Sequence, residues 1–439
     1  MGQLILLFIG WRFVLAFVTL FGLSFFANAG FMSQTLAFPT ADLDYWSRWA
    51  SWDGGHYQSI AVNGYAPHQT MWFPAYPMLI KILVLLGMPP LWAGLTVSHI
   101  AAFVGLYYLY RLAQLEFGEG IAWRAIVAAL IFPTSFYFVA VYNESLFLAV
   151  TAASFYYARK EKWLLAAMLA AVAGATRVIG LATIAAVSAE YLLRNSNSAG
   201  VRNFVSGLTI RLVIVSLFAA ISLNLLRAGN SAIRLMSYDG LVPFLATASA
   251  FVFSAAVAVA LVEAILRRLD IAKLKSREFA YLALSPAPLL AYLIYQQLAF
   301  GSAFSFMAYE AKNYNKALTF PWRGPQDAIA IVVQRGLLEV GDGMRFLTYV
   351  IFFIAMVVGL VVCLYRYRMS YSIYYFLAML IPLLSGTLMD TPRYALTLFP
   401  FFFVIAHIRN ESLQTIGILF SVMMLSALAM LFINGYWFM

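Results

Sequence analysis

The sequence predicts an all-α, polytopic membrane protein, and two observations carry that prediction. Only 10% of its 439 residues are charged and 64% are hydrophobic, whereas a soluble domain carries roughly 25% charged residues. Apolar runs of about 20 residues, long enough to cross the hydrocarbon of a bilayer, recur along the chain. A mean hydropathy of +0.85 agrees. Lipid must solvate most of the exterior, and residues 1–439 read as one membrane-embedded body.

Candidate spans lie near 4–27, 91–110, 120–139, 142–158, 163–193, 208–228, 240–264, 279–299, 345–364, 371–388, 394–408 and 414–436. The first contains Arg12 and lacks a basic leader and a small-residue cleavage site, so it reads as a retained helix. Gly174, Arg177 and Gly180 interrupt 163–193, which reads as two short helices meeting at a break. The segment 72–89 carries Pro74, Pro77 and Lys81 and is either a full span or a re-entrant or interfacial helix. Two polar stretches, 30–71 and 300–344, exceed the usual connection length, and their aromatic content argues against disorder. Within the first, Leu43 to Ala61 has the Trp and Tyr that favour short helices along the membrane interface.

The net charge is +10. No soluble region exists to present a basic stripe to a nucleic acid, so the excess is read as the positive-inside bias of membrane loops. With 72–89 not crossing and 163–193 split in two, one set of loops holds fifteen of the 28 basic residues and six of the 18 acidic ones. That set is the cytoplasmic one. Both long polar stretches then lie outside, and the helices number about 11–13. The lone cysteine, Cys363, excludes an internal disulfide or thiolate cluster. The four histidines lack paired ligand spacing, and no phosphate-binding glycine loop is present. Asp42 and Asp44 form an acidic pair able to meet a divalent ion, a weak signal, and no metal site or cofactor is assigned.

Residues able to do chemistry collect in the outer segments. Trp52-Asp53-Gly54-Gly55-His56-Tyr57 joins a carboxylate to a histidine three residues on, a pair able to activate a hydroxyl. The structural alternative is an interfacial helix whose Asp caps its start. Asn143 and Glu144 open a helix where a carboxylate needs a partner or water, unless it only answers the helix dipole. Arg177, at the break, can bind an anion or a carboxylate or can snorkel. Asp390-Thr391-Pro392-Arg393-Tyr394 offers a guanidinium fork to a phosphate or a partner for Asp390. In 300–344, Glu310, Lys312, Lys316 and Arg323 read mostly as solvated charges, with a lid or phosphate contact as the functional option.

The order of motifs resembles the PIG-V-like family, relatives of GPI mannosyltransferase II that also occur in prokaryotes, within the GT-C superfamily of membrane glycosyltransferases. The matching elements are Trp52-Asp53, His56-Tyr57, Ile60-Ala61, Gly64-Tyr65 and Phe73-Pro74-Ala75-Tyr76-Pro77. Tyr142-Asn143-Glu144-Ser145-Leu146-Phe147, Thr176-Arg177, Phe300-Gly301 and Pro392-Arg393-Tyr394 follow. After Gly301 the chain reads Ser-Ala-Phe-Ser-Phe, where many relatives have an acid and a proline.

The resemblance implies a GT-C-type helical bundle in a cell membrane with an extracytoplasmic active site. It also implies a polyprenyl-phosphate-linked sugar donor, often mannose, and a lipid or glycan acceptor. Asp53 then becomes the catalytic base of an inverting transfer. Arg393 and Arg177, then Arg323 and Lys312, are the expected donor-phosphate ligands. His56, Tyr57, Trp52, Glu144, Asn143 and Tyr394 are expected to contact or orient substrate. The rival classes are a transporter or lipid flippase and a non-catalytic membrane scaffold.

Overall fold

The computed structural model describes residues 1–26, 44–193, 276–336 and 341–436. The described residues are all-helical, and five of their helices are long and apolar enough to cross a membrane. These are α1 (Gly2–Phe25), α4 (Pro90–Phe117), the α9–α10 pair (Arg277–Leu284 and Ala287–Phe300), α13 (Asp342–Arg366) and α17 (Glu411–Ile433). The expected spans near 208–228 and 240–264, and Asp42 of the acidic pair, lie outside the described residues.

The remaining expected spans form shorter pieces. The run 120–139 becomes α5 (Glu119–Leu130), which stops ahead of Pro133 because the residue before a proline avoids helical geometry. The buried irregular segment 131–143 follows, and α6 (Glu144–Arg159) starts after it. The run 163–193 is a hairpin of α7 (Trp163–Thr176) and α8 (Gly180–Leu193), with Arg177 extended at the break as expected. The run 371–388 gives α14 (Met369–Leu383). The run 394–408 splits into α15 (Thr391–Thr397) and α16 (Phe399–Ala406). Pro400 lacks the N–H that would continue the first helix and instead starts the second.

In the first polar stretch, a 3-10 turn (Ser47–Ala50) leads to α2 (Asp53–Asn63). Then α3 (Ala75–Leu85) has 11 residues, roughly 16 Å of helix against a hydrocarbon core of about 30 Å. By its length alone α3 falls short of a full span. The second stretch holds α11 (Ser305–Tyr314) and α12 (Arg323–Arg335).

The core is a stack in which α4 lies on α6, α6 on α7, α7 on α8 and α8 on α14. Small residues let these helices close up. A Cβ on Gly180 would stand 2.2 Å from the Ala173 carbonyl, so only glycine lets α8 begin against the end of α7. The segment 131–143 is buried almost throughout. Irregular backbone at membrane depth survives only inside protein or along a cavity. Its polar groups are accordingly tied: Thr134 Oγ1 donates to the Pro392 carbonyl at 2.9 Å, and Val141 N–H to the Trp49 carbonyl at 2.9 Å.

Charged groups gather at the two ends of this stack. At one end Arg159, at the close of α6, pairs with Glu116 and with Glu190 (2.9 Å), and Arg368 reaches Glu116 at 3.1 Å. At the other end α6 begins with Glu144, and no charged residue lies between Ser145 and Ala158. Sixteen residues of α6 separate the two layers by roughly 24 Å.

Candidate functional site

The Glu144 end of the stack carries the site. Trp52 takes a left-handed φ of 54°, a conformation that costs a bulky residue and persists only where its surroundings hold it. It is held by packing on Phe432, at 5.1 Å between ring centroids. This turn makes Asp53 the first residue of α2. The carboxylate does not cap the helix, since the helix start has no side-chain cap. Its Oδ2 instead forms an ion pair with Arg393 Nη2 at 2.7 Å.

Arg393 is the centre of the network. It enters from α15, after Asp390, the second side chain of the site at positive φ (64°). Its Nε donates to Glu144 Oε1, and its guanidinium lies 4.7 Å from the Tyr142 ring centroid and 5.1 Å from that of Tyr137. Glu144 is fully buried. The same Oε1 accepts Arg177 Nη1 at 2.6 Å, while Glu144 Oε2 has no hydrogen-bond partner. Asn143 completes the link: its Nδ2 donates to the Thr176 carbonyl (3.0 Å) and its Oδ1 accepts Arg177 Nη1 (3.2 Å). The helix break at Arg177 therefore serves to turn this guanidinium toward Glu144, and Arg393 pairs with Asp53 and Glu144 while Asp390 bonds elsewhere.

Asp390 bonds Lys316. The buried Lys316 Nζ donates to Asp390 Oδ2 at 3.0 Å. Lys316 sits just after α11, where Asn315 is left-handed and the Lys316 N–H returns to the Glu310 carbonyl at 3.2 Å. The strand of chain beyond it is fastened by Thr319 N–H to the Leu384 carbonyl at 2.8 Å. Burial alone would pull the Lys316 ammonium down, but Tyr394, Asp390 and Glu310 outweigh it, and its pKa lies above the lysine range. Burial would raise Asp390, but Lys316 and Arg393 hold it below the usual carboxylate range. Glu310 goes the other way: burial raises it, Asp390 and Asp53 adding to the shift against Lys316 and Arg177.

Between these walls lies a cavity of about 140 Å³. Asp53, Tyr57, Asn143, Arg177, Arg393 and Tyr394 line it, as do Glu310, Tyr314, Lys316 and Asp390. Three cations (Arg177, Arg393, Lys316) face four acids (Asp53, Glu144, Glu310, Asp390), so the site is charge-dense without being strongly positive. Among the described residues no three His, Cys, Asp or Glu side chains come together as a metal-holding group.

Four expected site residues stand apart from the cavity. Arg323 is exposed and bonds Asp327 one turn along its own helix, at 2.9 Å. Lys312 is exposed on α11, where it has no reason to leave water. His56 stacks on Trp72, 3.7 Å between centroids, rather than steering Asp53. Trp52 supports the turn from behind. Conversely, Glu310 and Lys316, read as solvated, are wall residues of the cavity, Glu310 half-buried and Lys316 buried. They lie six positions apart in the chain, too wide a gap for one face of a short helix to reveal, and only the fold over α14 and α15 joins them.

No protein-family model matches this chain, and comparison with curated proteins and with solved structures returns no match.

Proposed function

We propose that this protein is a membrane glycosyltransferase of the GT-C type, similar to the PIG-V-like family, moving a sugar from a polyprenyl-phosphate donor to an extracytoplasmic lipid or glycan acceptor. One observation carries the reading: a carboxylate from the first outer loop, Asp53, shares a small cavity with Arg177, Arg393 and Lys316. A base beside several cations is what transfer from a lipid phosphate requires. The motif order gives mannose as the first sugar to test.

In the reaction, an acceptor hydroxyl attacks the anomeric carbon while the bond from that carbon to the phosphate oxygen breaks. Configuration inverts through an oxocarbenium-like state. Asp53 takes the hydroxyl proton, and the lipid phosphate leaves with the electron pair, needing no proton. Arg177, Arg393 and Lys316 stabilise its growing charge. Arg393 engages Asp53 Oδ2. Donor phosphate competes for the same guanidinium, so its arrival releases the carboxylate to act as base, and the donor binds before the acceptor reacts. The two charged layers, about 24 Å apart along α6, are closer than the roughly 30 Å of hydrocarbon. A cavity set below the membrane surface suits a donor whose chain stays in lipid.

The test is transfer from radiolabelled polyprenyl-phosphate-mannose, and a panel of other lipid-linked sugars, by the purified protein in nanodiscs. Asp53→Asn should lower turnover by at least about 100-fold, the contribution of a general base, with Glu310→Gln losing less than Asp53→Asn. A larger loss in Glu310→Gln would move the base to Glu310. Movement of intact donor across the bilayer, with no glycosidic bond made, would replace the enzyme by a flippase.

A further inference from the structure

Arg12 is the only charged side chain of α1, and the cavity does not use it. It stands roughly 15 Å into the helix, at a depth where an ionised group marks a function unless it is neutralised. Its Nε donates to His99 Nε2 at 3.1 Å, and His99 Nδ1 lies 2.7 Å from the Leu95 carbonyl. A carbonyl only accepts, so Nδ1 carries the proton and Nε2 carries none. His99 is therefore neutral, and it takes a hydrogen bond from Arg12 without cancelling its charge. Asp44, the acid on the adjoining turn, instead accepts the Ser47 N–H at 2.7 Å. Among the described residues no carboxylate pairs with Arg12.

Two indoles hold the guanidinium, with centroids 5.0 Å (Trp49) and 5.9 Å (Trp46) away. Cation–π contact satisfies the face of the guanidinium but not its N–H edge. Arg12 Nη1 is buried with no acceptor, and Trp49 Nε1 is buried in the same condition. Trp46 packs on Trp92 at 5.3 Å, and both are exposed, so the nook reaches the surface between α1 and α4. What is missing there is an anionic group made only of acceptors.

We propose that Arg12, with Trp46, Trp49 and His99, binds the phosphate of an anionic membrane lipid in the groove between α1 and α4. The site is separate from the cavity, whose lining excludes Arg12, and it does not depend on the sugar-transfer reading. The two sites share one structural part. Trp49 belongs to the 3-10 turn that leads through Trp52 to Asp53, so an occupied lipid site holds the turn that carries Asp53.

Native mass spectrometry of the protein released from nanodiscs of phosphatidylglycerol and phosphatidylcholine tests this. The wild type should retain one phosphatidylglycerol more than Arg12→Gln, and the variant's affinity for it should fall about tenfold or more, as loss of a charged hydrogen bond entails. Arg12→Lys, which keeps the charge but loses the fork, should fall between them. Equal retention in all three overturns the proposal, as does displacement of the lipid by millimolar inorganic phosphate. A photoreactive phosphatidylglycerol with its label near the headgroup keeps the test open if Arg12→Gln does not fold. On wild-type protein it should cross-link at Trp46 or Trp92, and labelling confined to other helices overturns the site.

Discussion

Glu144 accepts two guanidiniums on one oxygen, and the arrangement has a stability consequence that can be measured. Removing the charge of a fully buried partner leaves the opposite charges without compensation, at a cost of about 3–5 kcal/mol. Glu144→Gln should therefore lower the unfolding temperature markedly in a fixed detergent. Arg323→Ala removes an exposed pair within one helix, worth about 0.3–0.5 kcal/mol, and should leave that temperature nearly unchanged. Similar shifts for the two variants would mean that Glu144 is not the hub of the network. His56 makes a second residue-scale prediction. Burial against Trp72 lowers its pKa, His68 adding to the effect and Asp53 opposing it. The folded protein thus resists a proton that the unfolded chain takes up near pH 6.5. Its contribution is complete above about pH 6.5 and is lost as pH falls through the lowered folded value. Unfolding of wild type and His56→Gln, compared from about pH 7.5 to about pH 4.5, should show the wild type losing ground to the variant on the acid side. A difference that stays constant with pH would remove His56 as an acid-sensitive group.

At the scale of elements, the site depends on interruptions. Four of its charged side chains stand where regular helix stops or starts: Asp53 after the strained Trp52, Glu144 after the irregular 131–143 segment, Arg177 at the α7–α8 break, and Arg393 after the left-handed Asp390. Helix ends present unpaired backbone groups, and here the side chains beside them turn inward to one another. The α7–α8 break is held by the contact of Gly180 with Ala173. A methyl added at 2.2 Å from backbone must push the two helices apart, with an overpacking cost of about 1–3 kcal/mol or more. Gly180→Ala should lower thermal stability by that amount and weaken donor binding more than Gly120→Ala, whose added Cβ meets no atom within 4 Å. Equal behaviour of the two would show that the break tolerates slack.

At the scale of the whole molecule, the prediction concerns sidedness. The two charged layers coincide with the two loop sets separated by basic-residue counting, with Arg159 and Arg368 at one end and Asp53, Glu144 and Arg393 at the other. Cys363 is buried, so single cysteines can be introduced and read against it. An impermeant maleimide should label Asn313→Cys in intact cells and Lys160→Cys only after permeabilisation. Labelling of both from one side would overturn the orientation and, with it, the proposed extracytoplasmic placement of the site.

Composition and apolar run length were enough to specify a helical membrane body, because solvation by lipid acts on every residue and needs no knowledge of neighbours. The break at Arg177 was also legible, and Asp53, Glu144 and Arg393 stood out as candidates, since glycines and isolated charges in apolar sequence stand out locally. The partners of those charges were not. Asp390 is three residues from Arg393 and yet bonds Lys316, while Arg393 reaches back to Asp53 and Glu144. Arg323 and Lys312 were expected ahead of Lys316 to meet a phosphate, yet of the three only Lys316 is buried. Pairing of charges is decided by which helix ends the packing of α4, α6, α7, α8 and α14 brings to the same depth. Sequence by itself determined that the chain forms apolar helices long enough to cross a membrane and which residues would be costly there. The tertiary structure decided how that cost is offset, because a buried charge is stabilised by whatever lies within about 4 Å of it, and sequence distance says almost nothing about that.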